Sequence, residues 1–99
     1  MKQRKKLTAE HIVKKLEEYK PQLQQYGVKK IGLFGSYAKR KDHKKSDIDI
    51  LVTFDHPTFD TYMEVKFLLE KLLKKKVDLV IEKNLKPALR HVKEEAIYA

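Results

Sequence analysis

Asp47-Ile48-Asp49-Ile50-Leu51-Val52-Thr53-Phe54 is a run of strand-forming residues headed by two carboxylates. Side chains alternate along a strand, so Ile48, Ile50, Val52 and Phe54 fall on one face, while Asp47 and Asp49 share the other. Their spacing along the strand is roughly 6.5 to 7 Å from the rise per residue. Two carboxylates so placed repel each other and require a cation if they are withdrawn from water. Hard oxygen donors suit Mg²⁺, which keeps several waters and takes one or two protein carboxylates together with substrate phosphates. The plainer alternative is a solvated strand end, or pairing with nearby lysines.

Two further apolar runs extend this reading. Val77-Asp78-Leu79-Val80-Ile81 places Val77, Leu79 and Ile81 on one face and sets Asp78 on the other with Val80. As a neighbouring strand it can bring a third carboxylate to the first two. Val28 to Phe34 reads as a strand closed by Gly35-Ser36. Glycine lets a phosphate approach the backbone, the serine hydroxyl can donate to it, and free amides at a helix start favour an anion. By itself the dipeptide is equally a simple turn. It is neither a P-loop, because Gly-Lys-Ser/Thr is missing, nor the dinucleotide fingerprint.

Helical patterns lie between these runs. Thr8 is a candidate N-cap, followed by Ile12, Leu16, Tyr19, Leu23 and Tyr26 on one stripe. Pro21 should split that stripe into a helix to about Tyr19 and a short one after it, ended by Gly27. Beyond the break at Asp55-His56-Pro57, Val65, Leu68, Leu69, Leu72 and Leu73 fit an amphipathic helix ending at Lys74-Lys75-Lys76. A last helix is expected from Asn84 or Lys86 with Pro87, burying Leu85, Leu89, Val92 and Ala96. The fold class is α/β (α+β), a small mixed sheet of three strands with flanking helices.

The chain has 99 residues, no Cys and no Trp, and 23 Lys plus Arg against 14 Asp plus Glu, a net charge of +9. These bound it to a single domain over 1–99, with a basic stretch at 1–7 expected to be flexible. Without cysteine there is no disulfide framework and no thiolate chemistry, which fits a reducing compartment. The basic start lacks the apolar run of a signal peptide, since Glu10, Lys14, Lys15, Glu17 and Glu18 interrupt it. A cytoplasmic protein without a membrane partner is expected. The positive surplus favours polyanionic company, whether nucleotide phosphates, an acidic partner, nucleic acid or anionic lipid, without selecting among them. His11, His43, His56 and His91 lack metal-ligand spacing and are read as surface or capping residues. The tyrosines form no RNA-stacking motif; Tyr19, Tyr26 and Tyr62 are placed at the core edge and Tyr98 in a partner interface. The loop 39–45 is read as a charged, exposed connection that could also screen phosphates.

In combination, Ile31-Gly32-Leu33-Phe34-Gly35-Ser36-Tyr37-Ala38-Lys39-Arg40, then Ser46-Asp47-Ile48-Asp49-Ile50-Leu51-Val52, then Val77-Asp78-Leu79-Val80, resemble the nucleotidyltransferase superfamily with a polymerase β-like palm. The similarity is to its minimal nucleotidyltransferase branch and covers most of the chain. The resemblance implies that Asp47, Asp49 and Asp78 are catalytic and hold two Mg²⁺ ions. It also implies that Gly35 and Ser36 grip the phosphates of ATP, with Lys39, Arg40 and Ser46 nearby. Family members commonly have Arg then Gly where Lys39 and Arg40 stand here, so Lys39 meets a phosphate as a point charge, without arginine's bidentate fork.

The palm takes up the 99 residues, so the acceptor is expected to be recognised by another chain or subunit, or to be bound weakly. The minimal branch resembles the antitoxin of a toxin–antitoxin pair whose partner is a HEPN-domain ribonuclease. The resemblance implies transfer of AMP from ATP onto a tyrosine hydroxyl of that toxin. Two other readings stand beside it: a non-catalytic antitoxin that neutralises its partner by complex formation, and a basic nucleic-acid-binding domain resting on charge alone.

Overall fold

The computed structural model describes residues 8–39, 47–89 and 91–99. The basic stretch 1–7 and most of the loop expected at 39–45 lie outside the described residues, as do Arg40, His43 and Ser46.

Thr8 caps the first helix as its sequence requires: its side chain accepts from the His11 N–H at 3.1 Å, opening α1 (Ala9–Glu18). Pro21 falls in the first turn of α2 (Lys20–Gln25), where its missing N–H removes no helical bond. Gly27, at φ 88°, then turns the chain into β1 (Val28–Phe34). After the short α3 (Gly35–Ala38) comes β2 (Ile48–Phe54), one residue shorter than expected, since pairing begins at Ile48 and leaves Asp47 before it. Thr58 and Thr61 bond reciprocally, side chain to backbone, to cap α4 (Phe59–Leu73). The helix closes on Lys74 at φ 56°, in the left-handed region, and β3 (Val77–Ile81) follows as expected.

The last segment differs from the expected helix. It forms two 3₁₀ turns, Glu82–Asn84 and Pro87–Leu89, then α5 (His91–Glu95) and a short strand β4 (Ile97–Tyr98). Proline disfavours helical geometry at Lys86 before it, which rules out a start at Asn84; from Pro87 the chain makes a 3₁₀ turn instead, the Leu89 N–H donating to the Lys86 carbonyl at 2.8 Å. Leu85, Val92 and Ala96 end half-exposed and Leu89 exposed, so the expected buried stripe does not form. The sheet gains a fourth strand that a two-residue segment does not announce.

Strand order is β3-β2-β1-β4, with β2 and β3 parallel and the other pairs antiparallel. The two sheet faces follow from alternation. Ile31 and Leu33, Ile48, Ile50, Val52 and Phe54, and Val77 and Leu79 line the main core with Ile12, Leu16, Leu23, Val65 and Leu69 of the helices. The opposite face carries three rows across the strands, set by the register: Phe34, Asp49 and Asp78; then Tyr98, Gly32, Leu51 and Val80; then Lys30, Thr53 and Glu82. Leu51 is fully buried yet lies outside the main core, on the face where the C-terminal segment touches β1 and β2.

A polar cluster fixes that segment. Glu82 accepts from Thr53 Oγ1 at 3.2 Å and Tyr98 Oη at 3.5 Å, and lies 3.2 Å from Lys93 Nζ and 4.0 Å from Lys30 Nζ. Burial pushes the Glu82 carboxyl up, but these partners outweigh it and hold it below its ordinary value. Tyr98, expected in a partner interface, is engaged within the chain, with Lys30 stacked 4.7 Å from its ring centre. Gly32 makes room for that ring: a Cβ there would stand 2.8 Å from Tyr98 Cδ1. Tyr26 and Tyr62 pack at the core edge and Tyr19 is half-buried. His11, His56 and His91 are exposed, as expected.

Candidate active site

The site is built where β1, β2 and β3 end their polar-face row. In-register parallel pairing sets Asp49 beside Asp78, and antiparallel pairing sets Phe34 across from Asp49. Asp49 is half-buried, Asp78 exposed, and the two carboxylates share a hydrogen bond. Burial first, then the charge and hydrogen bond of Asp78, then the charge of Asp47, push the Asp49 carboxyl up to about 6 from 3.8. Below about pH 6 Asp49 takes up a proton, and above it the adjacent carboxylates repel.

Gly35 closes the site from the β1 side. Its φ of 76° lies in the left-handed region, and a Cβ on it would collide with Asp49 Oδ2 and stand 2.8 Å from Asp49 Cγ. The strand-to-helix turn thus lies directly against the Asp49 carboxylate, leaving no space for a side chain. The backbone of Ser36 follows in α3; its side chain lies outside the described groups, as do Arg40 and Ser46. Lys39, at the end of α3, is exposed, with Nζ 3.7 Å from Glu95 Oε1.

Asp47 precedes β2 and is exposed. Its charge reaches Asp49, but among the described residues no three His, Cys, Asp or Glu side chains form a group that could hold a metal ion unaided. The donors present still fit a hard divalent cation: all are carboxylate oxygens, two stand side by side, and their mutual repulsion is what a cation would relieve. Mg²⁺ needs no full protein cage, because water and phosphate oxygens complete its shell. Among the described residues no helix is long and apolar enough to cross a membrane.

Two residues at the site carried no sequence signal. Tyr62 donates to the Leu79 carbonyl at 2.5 Å, and Glu70 accepts from the Val77 N–H at 3.0 Å, so α4 grips β3 on both sides of Asp78.

Known proteins share this fold and sequence. The profile of the nucleotidyltransferase domain family matches residues 11–99. Protein adenylyltransferase MntA of Thermococcus cleftensis is 39% identical over 95 residues, covering 93% of this chain and 96% of that protein. A solved structure described as a candidate minimal nucleotidyltransferase superposes with a TM-score of 0.78 at 33% identity, over 92% of this chain and 95% of that one. A toxin–antitoxin complex solved with AMP-PNP superposes with a TM-score of 0.60 at 30% identity, over 87% of this chain and 66% of its counterpart. Profile, relatives and superposed fold agree: the chain belongs to the nucleotidyltransferase family, in its minimal branch.

Proposed function

We propose that this nucleotidyltransferase moves AMP from ATP onto a tyrosine hydroxyl of a HEPN-type toxin and acts as its antitoxin. The observation that carries the reading is the pairing of Asp49 with Asp78 in register, with the Gly35 backbone packed against Asp49. The toxin–antitoxin complex with AMP-PNP and the adenylyltransferase relative support the nucleotide and the class of acceptor.

Asp49 and Asp78, with Asp47 at the strand entrance, would hold Mg²⁺. Bound there, Mg²⁺ would supply charge to steady the triphosphate and to acidify the attacking hydroxyl. The chain's own groups do the rest. The Gly35 turn exposes backbone without a side chain, so phosphate oxygens can come close to it. Lys39, freed from Glu95, offers a point charge to the triphosphate. A tyrosine oxygen attacks the α-phosphorus, the bond to the bridging oxygen breaks, and pyrophosphate leaves. The tyrosine proton passes to a site carboxylate, with Asp78 as the exposed candidate. Catalysis here is chiefly positioning and charge neutralisation.

The test incubates the protein with a HEPN-type partner, Mg²⁺ and ATP labelled in the α-phosphate. Label should appear on partner tyrosine and vanish with Asp49→Asn. Transfer that survives Asp47→Asn and Asp49→Asn together would show the carboxylate assignment to be wrong. Neutralisation of the toxin without any transfer would replace this reading with the non-catalytic antitoxin.

A further inference from the structure

β3 is the edge strand of the sheet, five residues long, and it carries Asp78. On its inner side β2 fixes the register, from Ile48 opposite Val77 to Val52 opposite Ile81. On its outer side no strand follows among the described residues, and backbone groups of alternate residues would be left to water or to slippage. A slip of one residue would turn Asp78 to the opposite face and bring an apolar neighbour into its place.

Two side chains from α4 occupy that outer edge. The Glu70 carboxylate accepts from the Val77 N–H at 3.0 Å and from Lys66 Nζ at 3.0 Å. The Val77 N–H first, then Lys66, hold it below the ordinary carboxylate range. The Tyr62 hydroxyl donates to the Leu79 carbonyl at 2.5 Å. The two bonded backbone groups belong to the residues immediately before and after Asp78. Both side chains stand on a helix anchored in the core by Val65, Leu69 and Leu73.

We infer that Tyr62 and Glu70 are positioning residues for Asp78: by gripping β3 on either side of it, they fix how its carboxylate stands beside that of Asp49. The inference rests on the reading of these aspartates as the metal- and nucleotide-holding pair. Both act through the backbone of β3.

The experiment measures Mn²⁺ uptake by the folded full chain in the presence of AMP-PNP, following free Mn²⁺ by electron paramagnetic resonance, alongside thermal melting. Residues that orient metal ligands typically affect affinity by an order of magnitude or more, so Tyr62→Phe and Glu70→Ala should each weaken Mn²⁺ binding about tenfold. Glu70→Gln should bind nearly as wild type, because its amide oxygen can still accept from Val77. Tyr98→Phe, which removes a hydroxyl from the Glu82 cluster, should lower the melting temperature and leave Mn²⁺ affinity unchanged. Wild-type affinity in both Tyr62→Phe and Glu70→Ala, or an equal loss in Tyr98→Phe, would overturn the inference. If wild type binds and Asp49→Asn does not, such a result removes only the positioning role. If wild type takes up no Mn²⁺ at all, the metal-holding pair falls and the positioning role falls with it.

Discussion

Replacing Asp49 by Asn should make the metal-free protein more stable while abolishing transfer. In the folded chain the Asp49 carboxyl titrates at about 6, against 3.8 ordinarily, through burial, then Asp78, then Asp47. The folded state therefore holds an extra proton between those values, and stability falls as pH rises through them. At 1.36 kcal/mol per pKa unit the penalty above pH 6 has a ceiling of about 3 kcal/mol. Asp49 is half-buried, and solvent screening brings this to about 1–2 kcal/mol. Asparagine keeps the shape, removes the charge at every pH, and its amide can donate to Asp78. For a domain of this length the gain corresponds to a rise in melting temperature of roughly 4 to 10 °C.

Thermal melts of both proteins without metal, at pH 8, 6 and 4, read this directly. The variant's advantage should be full at pH 8 and shrink toward zero below about pH 4, where the wild-type carboxyl is protonated in both states. Adding MgCl₂ with AMP-PNP should stabilise wild type and leave Asp49→Asn where it was. Coincident melts at pH 8, or an advantage of the same size at pH 4, would refute the claim that charge repulsion at Asp49 destabilises the empty site.

Gly35→Ala should be damaging twice over: the left-handed turn becomes strained by about 1–2 kcal/mol, and the new methyl pushes on Asp49. Denaturant titration should show the first effect, and loss of AMP transfer the second. Gly32→Ala should force Tyr98 off the sheet, since its Cβ would stand 2.8 Å from the ring. The overpacking should lower stability by about 1–3 kcal/mol, and amide exchange of Ile97 and Tyr98 should quicken. Lys74→Gly should raise stability by about 1 kcal/mol, because it relieves the roughly 1–2 kcal/mol cost of the left-handed φ of 56° at the end of α4 against glycine's entropic cost of roughly 0.5–1 kcal/mol; urea unfolding is sufficient to see it.

What could be read from sequence depended on how local each signal was. Val28–Phe34 and Val77–Ile81 stand at their expected bounds because apolar density and flanking glycine or lysine are written within each segment. Thr8 announced its helix for the same reason. By contrast β4 is two residues long, and it exists as a strand only because Gly32 and Leu33, more than sixty positions earlier, are free to pair with it. The C-terminal helix was expected from a stripe of apolar residues. From Pro87 the chain makes a 3₁₀ turn in its place, and Leu89 ends 46% exposed. Alternation placed Asp47 and Asp49 on one face, and only the register shows that pairing starts after Asp47 and joins Asp49 to Asp78. Tyr62 and Glu70 carry ordinary helical positions in sequence; their role lies in bonds to another element.

The polar face itself contains the control for reading its aspartates as a site. Glu82 stands on the same face as Asp49 and Asp78, four residues beyond Asp78 on the continuation of β3, and its side chain is largely shielded from water. There the chain supplies Lys93, Lys30 and the Thr53 hydroxyl, and the carboxyl is held below its ordinary value. At Asp49 the causes of the shift are burial and two other aspartates, with no cation among the described residues contributing, and the carboxyl is pushed up. A chain with a net charge of +9 does not lack lysines. One carboxylate row is neutralised from within and serves to pin the C-terminal segment. The other, at the start of two adjacent strands, has no such partner among the described residues, and a cation brought with the ligand would relieve its repulsion.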